Sequence, residues 1–303
     1  MTDAHFGVLA GICAAVAWAV AGTIFSRVPV SAAAMNFFKN TVSAAIAFVI
    51  LLVLAVVDAK AAVSLAAGAW IYLSLSGFCG IVIGDTCYLR SLQILGARRG
   101  FVVSTVTPVF AALVGWIWLG ESPAWTTLLG IVVLLGGIIA VVLEPGGEAE
   151  GAGHYPGSTT RGVLYGALGS LGQAVGAALA KLGMRELPSE SPFEATFIRL
   201  VTAAALGLLF ALPMGVGSWP RAFAKHWPRL LPASVIGTLV GITCSLIAFK
   251  YTDIAVATAL TSMTPVFAIP LVWWFLGQRV TSRAVLGAIV AVAGVVIIGN
   301  SLR

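Results

Sequence analysis

Charge is what this 303-residue chain has least of: Asp, Glu, Lys and Arg make up 9% of it, against 60% hydrophobic residues and a mean hydropathy of +1.04. So little polar surface cannot clothe a soluble globule, and lipid is therefore the solvent. Histidine is nearly absent, with His5 near the amino terminus and His154 and His226 in loops. The four cysteines, Cys13, Cys79, Cys87 and Cys244, fall inside apolar runs without CxxC spacing or a neighbouring His, which argues against a redox or metal centre. Metalloprotease, nucleophile-elbow and phosphate-cradling glycine motifs are missing too. An enzyme and a nucleotide-driven pump are thereby set aside, and neither cofactor nor metal is expected.

The net charge of +6 sits on isolated Lys and Arg residues near the ends of apolar runs. No basic stripe forms, so the bilayer and not nucleic acid is the expected partner. The first apolar run, Phe6 to Phe25, follows Asp3 and His5 without a basic flank and reads as a retained span.

What the chain does have is a copy of itself. At a constant offset of 157, Gly80, Gly84, Thr86, Cys87 and Leu89 meet Gly237, Gly241, Thr243, Cys244 and Leu246. Further on, Thr107-Pro108-Val109-Phe110-Ala111 meets Thr264-Pro265-Val266-Phe267-Ala268, and Gly130 and Gly137 meet Gly287 and Gly294. Such duplication is the signature of a secondary transporter whose halves rock about a central site.

Crossing a hydrocarbon core of about 30 Å takes roughly 20 apolar residues. Ten such runs lie at 6–25, 35–57, 69–90, 99–119, 124–143, 162–183, 193–212, 230–250, 254–276 and 281–299. The polar, Gly-rich stretch 144–161 links a first half, 1–143, to a second, 162–303. Five is odd, so the second half enters the bilayer from the opposite face. The expected fold is all-α, ten transmembrane helices in two inverted five-helix repeats, with both termini on one side and a cavity where the halves meet.

Within the runs, Gly162, Gly166, Gly169, Gly172 and Gly176 recur at helical spacing on span six, which predicts close helix contacts. Pro108 and Pro265 fall mid-span as candidate kinks or hinges, with Thr107 and Thr264 beside them to replace the lost backbone donor. Ionisable groups inside hydrocarbon cost about 2.5–3.5 kcal/mol each on insertion scales and are functional candidates by default. Three stand out: Lys39 on span two, Asp85 on span three and Arg199 on span seven. Lys39 and Arg199 hold corresponding places in the two halves, and Lys39 and Asp85 share a depth that suits an ion pair. Such a pair either only fixes helix register or exchanges its partner for a proton or a substrate amine. Arg199 has Ile242 where a matching acid would stand. Its guanidinium is a candidate for a substrate carboxylate or phosphate, or else snorkels. Trp18 and Gln173, near-equivalents on spans one and six, join Tyr88, Ser104, Thr107, Thr261 and Thr264 as candidate cavity residues. Trp116 and Trp273, near span ends, read as interface anchors.

Gly84-Asp85-Thr86-Cys87-Tyr88-Leu89-Arg90-Ser91-Leu92, then Ile94 to Arg99, Pro108 and Leu119-Gly120-Glu121, resembles the EamA-type domain of the drug/metabolite transporter superfamily. The second copy, with Pro265 and Leu276-Gly277-Gln278, resembles it too. The likeness implies a ten-helix inner-membrane carrier, usually an exporter of amino acids or other small metabolites, with both termini cytoplasmic. The count of Lys and Arg in loops, taken alone, favours the termini outside. With Gln278 for Glu121 and Ile242 for Asp85, any role for these acids is asymmetric.

The expectation is a secondary transporter working by alternating access on a proton gradient or by exchange, as a monomer or homodimer. A lipid or lipid-linked flippase and an uncoupled facilitator are the alternatives.

Overall fold

The structure, a computed structural model, describes residues 3–25, 28, 30–57, 63–95, 103–104, 106–142, 158–211, 219–264, 266–267, 271 and 282–301. Span one is helix α1 (Asp3–Phe25) and span two α2 (Ala32–Val57). Span three runs through α3 (Ala67–Ser76), a π-helical stretch π1 (Gly77–Asp85) and α4 (Thr86–Leu95). Span four is α5 (Thr107–Val114) with π2 (Gly115–Leu119), and span five α6 (Trp125–Val142). Spans six and seven are α7 (Thr159–Arg185) and α8 (Pro192–Ala211). Span eight joins α9 (Trp219–Ala233), π3 (Ser234–Val240) and α10 (Gly241–Tyr251); spans nine and ten contain α11 (Ile254–Thr261) and α12 (Ser282–Ser301). No strand occurs among the described residues. Among the described residues, six helical stretches are long and apolar enough to cross a membrane, and three shorter apolar ones lie in spans four, five and ten. The chain is an all-α membrane protein.

Span eight is longer than the sequence suggests, because Trp219-Pro220 opens a helix through the polar stretch containing Lys225 and Arg229. Proline suits a helix's first turn, where its missing N–H has no partner to lose. Pro108 uses the same tolerance. It lies in the first turn of α5, so span four is interrupted there and not merely bent. The Thr107 hydroxyl donates to the Ser104 carbonyl at 2.7 Å, the acceptor that an amide at position 108 would have used. Thr264 likewise donates to the Thr261 carbonyl at 2.9 Å, four residues before Pro265. Pro265 itself, like residues 144–157 of the expected linker and Trp273, lies outside the described residues, while the linker's last residues already open α7 from Thr159.

Missing side chains set the packing. Along α7, a Cβ on Gly172 would stand 2.8 Å from the Cys79 carbonyl oxygen and one on Gly176 2.7 Å from the Gly80 Cα. Ser91 Oγ donates to the Gly162 carbonyl at 2.8 Å and Ser76 Oγ to that of Gly176 at 2.5 Å, so span six of the second half lies along span three of the first. The mirror contact joins α1 to span eight, where a Cβ on Gly241 would meet Trp18 Nε1 at 2.5 Å. Each half thus completes the other. A second close crossing joins α6 and α12: Cβ atoms on Gly130 and Gly294 would stand 2.7 Å from Ile298 Cγ1 and 2.5 Å from the Leu134 amide nitrogen. In lipid, such backbone approach replaces the hydrophobic drive that joins helices in water.

Gly137 on α6 abuts the Ala291 backbone, whereas neighbouring Gly136 has open space beside it. Gly137→Ala should therefore lower the melting temperature by several degrees, at about 1–3 kcal/mol of overpacking, and Gly136→Ala by less than about 2 °C. Thermal unfolding in detergent checks the contrast.

Candidate functional site

The centre of the site is a carboxylate placed by an irregular helix. π1 and π3 begin at repeat-equivalent residues, Gly77 and Ser234, and Asp85 is the last residue of π1. Wider π turns offset backbone carbonyls from the regular ladder and are frequent at functional sites. Side-chain amides bond to this stretch. Asn36 Nδ2 donates to the Ile81 carbonyl at 2.9 Å and to Thr86 Oγ1 at 3.2 Å, and Gln173 Nε2 to the Gly80 carbonyl at 3.1 Å.

Both oxygens of Asp85 are engaged. Lys39 Nζ reaches Oδ2 at 2.6 Å and Gln173 Nε2 reaches Oδ1 at 2.5 Å. Spans two, three and six, from both halves, are thereby tied at one point. Asn36, Lys39 and Asn40 share a face of α2 through i, i+3, i+4 spacing, and all three are buried. Asn40 Nδ2 donates to Asn36 Oδ1 at 3.1 Å, while Asn40 Oδ1 is buried without a partner.

Arg199, 4% exposed, enters the same neighbourhood from span seven. Its backbone oxygen lies where a Cβ on Gly77 would be 2.6 Å away, and its Nη2 lies 3.3 Å from where one on Gly80 would be. The guanidinium thus extends along π1 towards Asp85, whose charge it feels, and its Nε has no hydrogen-bond partner. The repeat position alone denies Arg199 an acid; the fold brings it towards the other half's.

The related site in the second half keeps a basic residue, Arg199, but is apolar where the first holds its acid. Thr196 and Thr243 hydroxyls, 3.1 Å apart, repeat the Asn36–Thr86 contact, but Ile242 replaces Asp85 and Trp18 packs on Gly241 much as Gln173 packs on Gly84. Tyr88, one turn beyond Asp85, lies within reach of its charge. Thr107, Thr261 and Thr264 hydroxyls donate to their own chain's carbonyls, those of Ser104, Thr258 and Thr261, and Ser104 serves in this way through its carbonyl. None of these bonds joins them to Asp85.

A second ionic knot closes the end of the bundle that carries the amino terminus. Lys181 Nζ bonds Glu121 Oε1 and the Thr252 carbonyl, both at 2.6 Å, and Glu121 Oε2 accepts from the Ile254 amide at 2.8 Å. Glu121 thereby caps α11 from the opposite half. The half-buried Asp253 beside it has its carboxyl pushed above the usual range, first by desolvation and then by Glu121, with Lys181 opposing.

The sequence profile of the EamA-like transporter family matches residues 5–143 and 160–300. Protein LicB of Haemophilus influenzae is 28% identical over 211 residues, 69% of this chain and 68% of its own. The Uncharacterized transporter YetK of Bacillus subtilis is 24% identical over 144 residues, 48% of this chain and 40% of its own. Among solved structures, one crystal structure of a protein superposes with TM-score 0.73 over 96% of this chain and 95% of its own, at 18% identity, a likeness of fold alone.

Asp253 supplies a pH test. A carboxyl raised on folding costs nothing below the ordinary carboxylate pKa and costs stability as pH rises through its raised value. Asp253→Asn should therefore melt above wild type at pH 7, with the difference vanishing below about pH 4. Equal melting at every pH would contradict this.

Proposed function

The chain belongs to the EamA-like transporter family, and from this premise we propose that it exports small polar metabolites, amino acids among them, across the inner membrane by alternating access. Export draws on a proton gradient or on exchange, and both termini face the cytoplasm. The observation that carries this reading is a part-buried carboxylate within span three, Asp85, held by Lys39 of its own half and Gln173 of the other. Protonating it removes the charge that Lys39 bonds and weakens the acceptor for Gln173. Spans two, three and six are then freed to shift relative to one another. A carboxylate gripped this way couples proton uptake to a change in how the halves meet. The Glu121–Lys181 knot closes the terminus-bearing end in the present state and has to part when that end opens.

Proteoliposomes loaded with a mixed pool of small metabolites test the proposal, with mass spectrometry identifying what leaves under an imposed pH gradient. Wild type should release a defined solute. Asp85→Asn, still folded and monodisperse, should release it roughly 5- to 150-fold more slowly and lose the gradient dependence. Unchanged rate and pH dependence in this variant would remove the reading.

A further inference from the structure

Three buried or part-buried charges meet around π1, and they do not balance. Lys39 and Arg199 are 9% and 4% exposed, and Asp85 is the acid that faces them. One positive charge is left over. It falls to Arg199, because both Asp85 oxygens are already bonded, to Lys39 and to Gln173. Another acid on the same helix, Glu194, is spent elsewhere: it accepts from the Ser64 amide at 2.6 Å and the Ser189 hydroxyl at 2.7 Å at the end of the bundle.

An unmatched guanidinium in a water-poor interior costs several kcal/mol, and the cost disappears when an anion arrives. The surroundings of Arg199 suit such an arrival. Its Nε is buried without a partner, and its Nη2 lies against Gly80, where a Cβ would stand 3.3 Å away. A guanidinium grips carboxylate or phosphate with two parallel N–H donors, which an ammonium cannot do. A zwitterion, by contrast, brings no net negative charge to offset the excess.

We propose that the transported solute carries a carboxylate or phosphate received by Arg199, and that the carrier prefers net anions to zwitterions and cations. This rests on the transporter reading and narrows its substrate class away from ordinary amino acids. Once bound, the anion completes the charge balance of the cluster and gives Nε an acceptor. Arg199 is then the residue that selects the solute, while Asp85 governs coupling.

Melting of purified protein in detergent tests this without requiring transport. Sodium pyruvate, glutamate and inorganic phosphate are compared with methylammonium and lysine chlorides at matched ionic strength. At least one anion should raise the wild-type melting temperature by about 2–4 °C, and neither cation should. Arg199→Gln should lose that response while melting, without added anion, no lower than wild type, because an unmatched charge has been removed. Arg199→Lys should keep part of the response.

A shift from a cation and none from any anion would overturn the proposal. So would an undiminished anion response in Arg199→Gln, or a variant that melts several degrees lower, which would mark Arg199 as a structural donor. Failure of the coupling reading shows separately, as unchanged gradient dependence in Asp85→Asn.

Discussion

A carboxylate inside hydrocarbon has to be matched, and the matching of Asp85 organises the centre of this protein. Lys39 supplies charge from the same half and Gln173 a donor from the other, at 2.6 and 2.5 Å. For these to converge, span three must present Asp85 at the end of a π-helical stretch, and spans two and six must approach it closely. Asn36 satisfies one carbonyl of that stretch and Gln173 another. Buried polar groups of this kind are stable only when their partners are all in place, so a single protonation is felt by three spans together.

Glycine makes the approach possible. Span six can lie against π1 because Gly172 and Gly176 face Gly80 and Gly84 with backbone against backbone. The same exchange, span one against span eight, relates the halves by their pseudo-two-fold, so neither half buries its own third span alone. The chemistry departs from that symmetry: span three presents Asp85 to Gln173 of span six, where span eight presents Ile242 beside Trp18 of span one. One acid and two basic residues, brought to one neighbourhood, follow from a duplicated scaffold whose copies have diverged at the site.

Much of the scaffold was legible in the sequence. Apolar run length gave the spans, the offset repeat gave the inversion, and the glycines of span six marked a contact face. Lys39 and Asp85 were visible because any charge in a long apolar run calls for a partner. The Thr107 and Thr264 substitutions for a lost amide followed from proline chemistry. Other features depend on tertiary geometry. The π turns leave no periodic trace, and Arg199 acquires a neighbour from the other half that its repeat position denies it. Asn36 and Asn40 were overlooked although their i, i+4 spacing around Lys39 was a readable polar stripe. Lys181 was missed because it lies near a span end, where a basic residue passes as an interface anchor.

The central claim is that Lys39 and Asp85 act as one energetic unit within the membrane. A double-mutant cycle on Lys39→Met and Asp85→Asn, read as unfolding free energy in detergent, tests it most directly. Each single change should cost about 3 kcal/mol by stranding its partner, and the double change should recover at least about 1 kcal/mol of the sum. Costs that simply add would contradict the account.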